Sequence, residues 1–157
     1  MEKYKNFTIQ LALFDTLPVL FFTIAMSIIA LHFNSIAFKF GVLLCALTGF
    51  GKVIWKIIVA LKNKDIHILF TQMRIFMPIG FLMMLIGIII NRNTIHLHKA
   101  FTFPSVLFFI ITVVGMICMS IFAIKLDNTK TKSNWIEQIT NTIAQLSFLI
   151  GVLTIIE

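Results

Sequence analysis

Five predominantly apolar runs, over residues 7–31, 38–61, 68–90, 104–124 and 135–156, fill almost the whole of this 157-residue chain. At 1.5 Å rise per residue, about 20 helical residues cover a hydrocarbon core about 30 Å thick, and each run reaches that length. Lipid offers the backbone no hydrogen-bond partners, so a single-run crossing of this kind must be a helix. The expected fold is an all-α integral membrane protein, a compact bundle of five transmembrane helices in one domain. The connections are short, so consecutive helices should run antiparallel.

Charged residues make up only 12% of the chain and apolar residues 59%, which excludes an ordinary soluble domain. The net charge of +7 is not gathered into a basic stripe; the cations stand singly or in pairs between apolar runs. The expected partner is therefore the lipid bilayer and not nucleic acid. Lys3, Lys5, Lys62, Lys64, Lys125, Lys130 and Lys132 fall on one side of a five-span topology, against Lys39, Arg92 and Lys99 on the other. By the positive-inside rule the N-terminus is cytoplasmic and the C-terminus outside. The expected location is a multi-pass position in a bacterial cytoplasmic membrane. Asp15 and Pro18 interrupt the first run, which continues to Leu31, so it reads as a span and not as a secretory signal.

Ionisable groups at membrane depth are costly and mark an interior or a site. Lys52 lies roughly 14 Å from the cytoplasmic end of span two, near the midplane. Lys56 is one turn nearer that end, where its stem can snorkel to the headgroups. Asp15 in span one and Arg74 in span three lie about 9 to 11 Å in from the same side, with Gln72 nearer the surface. Glu137, Asn141 and Gln145 recur every four residues in span five and so share a face. Trp55 stands between the two lysines. Lys52 with Asp15, and Lys56 or Arg74 with Glu137, are the natural pairs. Three positive and two negative groups leave one positive charge in excess, which suits a carboxylate, phosphate or lipid headgroup.

The leading expectation is a polar, net-positive cavity in the cytoplasmic half that binds an anionic small molecule or lipid headgroup, for transport or sensing. Lys52, Arg74, Asp15, Asn141 and Gln145 would form it, with Lys56 and Glu137 at its mouth and Trp55 and Gln72 beside it. One alternative is an accessory subunit, or a homo-oligomer, whose polar groups mate with another membrane protein or simply hold helix register. Another is a lipid-modifying enzyme that uses Asp15 or Glu137 in proton transfer. Span four carries almost no polar groups and should face lipid or a partner subunit.

Other features point to no chemistry. Gly51-Lys52 lacks the upstream glycine and the Ser/Thr of a phosphate-binding loop. Cys45 and Cys118 have no metal-site spacing, and His32, His96 and His98 are a weak metal signal. No catalytic residue, metal site or cofactor is read from the chain. Pro18 and Pro78 follow Asp15 and Arg74 by three and four residues, where each can kink a helix beside the polar groups. Gly49 and Gly51 should allow close helix approach, and most of the seventeen phenylalanines should pack or face lipid.

Overall fold

The computed structural model describes residues 8–62, 66–91, 101–127 and 130–156. Lys3, Lys5, Lys64, Arg92, Lys99, His96 and His98 lie outside the described residues. The helices are α1 (Ile9–Phe14), α2 (Thr16–His32), α3 (Ile36–Lys62), α4 (His67–Ile90), α5 (Ser105–Lys125) and α6 (Thr131–Ile156), with no strand among the described residues. Together α1 and α2 form one 24-residue span, so among the described residues five helical segments are long and apolar enough to cross a membrane. This is the architecture of a multi-pass membrane protein.

Asp15 alone separates α1 from α2. Its backbone stays in the right-handed region (φ −64°, ψ −13°), and its N–H still reaches the Leu11 carbonyl at 3.0 Å. Pro18 then falls in the first turn of α2, where a missing N–H leaves no interior bond unmade. Pro78, by contrast, sits inside an unbroken α4. The two prolines are therefore not equivalent: only the first accompanies an interruption.

The packing pattern consists of two hairpins joined by the first span. α3 pairs with α4, α5 pairs with α6, and α2 lies between α3 and α6. Between apolar helices in lipid there is little hydrophobic drive, so close packing must hold them. The α3–α4 seam shows how. A β-carbon on Gly41 would come within 2.6 Å of the Gly80 carbonyl oxygen, and one on Gly87 within 2.7 Å of Phe38 Cβ. Phe33, Phe38, Val42, Cys45 and Met84 fill this seam, with Phe22 and Met26 of α2 against them. In the other hairpin Gly115 abuts Ala144, Thr112 donates to the Ala144 carbonyl at 3.2 Å, and the Ser105 and Thr154 hydroxyls lie 2.9 Å apart.

α3 is the most buried of the spans, while the most apolar stretch of α5 buries none of its residues. The outer position of α5 agrees with its lack of polar groups. α6 starts at Thr131, four residues ahead of the start expected from hydropathy at Trp135. That difference matters for the polar groups.

Candidate functional site

Position along each helix decides which polar groups can meet. Asp15 comes six residues after Ile9, Lys56 six before Lys62, and Glu137 six after Thr131. At 1.5 Å per residue each is about 9 Å from the same end of the bundle. α1 packs on both α3 and α6, and Phe14 meets Trp135 with ring centroids 5.4 Å apart. These contacts bring the residues beside the two rings, Asp15 and Glu137, to the same junction.

The ion pair that forms there is Lys56–Asp15, with Nζ 2.6 Å from Oδ2. Both side chains are almost fully buried, at 7% and 3% exposure. Two sequence expectations are corrected by this contact. Asp15 takes Lys56 and not Lys52, because Lys56 is the lysine at its level. Lys56, for the same reason, is drawn inward and does not snorkel.

Lys52 is half-buried one turn deeper on the same face of α3, and it makes no salt bridge among the described residues. Lys52 and Asp15 both act electrostatically on Lys56 and on Glu137, and Lys56 and Glu137 act on each other. Glu137 is half-buried, and its Oε1 is enclosed without a hydrogen-bond partner among the described residues. The four groups thus form a quartet at the meeting of α1, α3 and α6 that is charge-balanced and not, as expected, net-positive. Lys56–Asp15 is a tight pair, and Lys52 and Glu137 make no salt bridge among the described residues.

The remaining candidates lie elsewhere. Arg74 is exposed on α4, its guanidinium carbon 4.8 Å above the Phe70 ring. Phe70 in turn packs on the buried Trp55 with centroids 5.0 Å apart. Trp55 therefore faces α4, away from the quartet. Gln72 lies against Gly51, where a β-carbon would strike its amide, and Gly49 faces Val19 of α2. The two glycines serve close approach on opposite sides of α3. Gln145 reaches Met116 of α5, Nε2 to Sδ 3.5 Å, and Asn141 is half-buried.

The most buried polar residues of α6 are instead Ser133, Asn134, Gln138 and Ser147, all at 8% exposure or less. Gln138 Oε1 has no hydrogen-bond partner among the described residues. Sequence reading missed Asn134 and Gln138, although they too are four residues apart. Starting the helix at Trp135 left the first of them outside the span. His32 is exposed, with its ring nitrogen 3.0 Å from its own Ile28 carbonyl.

No family model matches this chain, and neither a curated protein nor a solved structure shows a significant likeness to it.

Proposed function

We propose that the protein binds an anionic small molecule or lipid headgroup at the quartet, with Lys52 as the cation that receives it, for transport or sensing across a bacterial cytoplasmic membrane. The observation that carries the reading is the unequal use of the two lysines. Lys56 is matched by Asp15 at 2.6 Å, whereas Lys52 has no anion within salt-bridge distance among the described residues. An unmatched ammonium within an apolar span is costly, and a bound carboxylate or phosphate relieves that cost. Asp15 and Lys56 position the site by holding α1 against α3.

On this reading the quartet lies in the cytoplasmic half, with the N-terminus inside and the C-terminus outside, as the lysine and arginine distribution favours. A thiol placed at Glu157→Cys should react with an impermeant reagent added to intact cells, and one at Lys3→Cys should not. The reverse pattern would invert the assignment. Ligand binding is tested by native mass spectrometry of the gently purified protein. The wild type should carry a discrete anionic mass that Lys52→Met lacks and Lys52→Arg retains; equal adducts in wild type and Lys52→Met would reject the site.

A further inference from the structure

Arg74 does not join the quartet, and its surroundings point to a second anion site on the outer surface of α4. The guanidinium rests on Phe70, 4.8 Å from the ring centroid, and it makes no salt bridge or hydrogen bond among the described residues. The ring contact supplies no oxygen acceptor, so the guanidinium N–H donors remain unmatched among the described residues. Phe70 is itself backed by Trp55, which is buried and gives the stack a fixed base. His67, Phe70 and Arg74 are spaced i, i+3, i+7 on one helix face, and the His67 and Phe70 rings are 6.4 Å apart.

The neighbours of Arg74 identify where its anion comes from. Pro78, Phe81 and Leu82, which follow Arg74 on the same side of α4, are all exposed, so this face of α4 is one that lipid covers. A dissolved anion does not reach such a face, but the phosphate of a phospholipid does. Arg74 lies about 10 Å from the start of α4, within reach of the headgroup layer through its aliphatic stem. Lys62 is exposed at the adjoining end of α3 and adds positive potential there. We infer that the Trp55–Phe70–Arg74 stack is a surface site for the phosphate of an anionic phospholipid, separate from the Lys52 site. The guanidinium offers paired donors to two phosphate oxygens, and the added Lys62 charge favours a headgroup with net negative charge over a zwitterionic one.

The test uses the full chain with Trp135→Phe, which leaves Trp55 as the sole tryptophan. The protein is reconstituted with phosphatidylglycerol or phosphatidylcholine brominated high on the acyl chains, and quenching of Trp55 reports lipid at the stack. Brominated phosphatidylglycerol should be preferred, and Arg74→Gln should lower that preference by about ten-fold, to near parity. Lys52→Met should leave the preference intact, as should added inorganic phosphate. Selectivity that survives Arg74→Gln would overturn the inference. So would selectivity lost in Lys52→Met, which would place lipid recognition at the quartet. Competition by inorganic phosphate would make the ligand a dissolved anion instead. Because Arg74 is exposed, the variant should fold, and an unchanged Trp55 emission maximum without brominated lipid verifies that it does.

Discussion

At the residue scale, the two lysines of α3 differ in their partners: Lys56 is paired with Asp15, and Lys52 makes no salt bridge among the described residues. Lys56 and Asp15 are buried together at 2.6 Å, so removing either leaves the other as an uncompensated buried charge. Such a loss costs about 3–5 kcal/mol, while replacing both partners by apolar groups of similar volume is often close to neutral. Lys56→Met alone should therefore lower the unfolding midpoint strongly, and Asp15→Leu with Lys56→Met should recover most of the loss. Thermal unfolding in one detergent measures both. Independent, additive effects of the two substitutions would show that the pair is not coupled in this way. The partner of Asp15 was accessible from sequence by counting residues from the helix ends, which puts Asp15 and Lys56 level. Pairing Asp15 with Lys52 weighs only which lysine most needs a counter-ion, and does not ask which one stands level with the carboxylate.

At the element scale, glycines decide how closely α3 can be approached, and they do not do so equally. A β-carbon at Gly41 meets backbone, the Gly80 oxygen at 2.6 Å and the Met84 nitrogen at 2.9 Å, and neither can move without the helix. At Gly51 the obstacle is the end of the Gln72 side chain, which can rotate away. Gly41→Ala should then destabilise by about 1–3 kcal/mol through overpacking. Gly51→Ala should be close to neutral, its rotamer cost offset by the roughly 0.5–1 kcal/mol that alanine gains over glycine in a helix. Unfolding of the two variants side by side decides the point, and equal losses would contradict the seam described here. The five spans were legible in the sequence because lipid imposes their length and apolarity. The helix neighbours were not, since hydropathy says nothing about which faces contain the small residues that meet. Nor was the start of α6, because Thr131 to Asn134 are polar residues that continue a helix beyond its apolar run.

At the scale of the whole molecule, the first span joins two hairpins, and the polar layer forms where that span touches both of them. Asp15, Lys56 and Glu137 come from three helices yet lie at one level, about 9 Å from the same end. The layer is charge-balanced once Arg74 is seen to face outward, so a ligand there must be matched by Lys52 against Glu137 and not by a general positive field. On the proposed function, the Asp15–Lys56 pair holds the layer together while Lys52 receives the anion. Native mass spectrometry of three proteins in parallel tests it most directly: the wild type, Lys52→Met, and the joint Asp15→Leu/Lys56→Met variant. A bound anion is expected in the wild type and in the joint variant, and none in a folded Lys52→Met. An anion retained by Lys52→Met but lost from the folded joint variant would contradict it, because the pair and not Lys52 would then be the binding group.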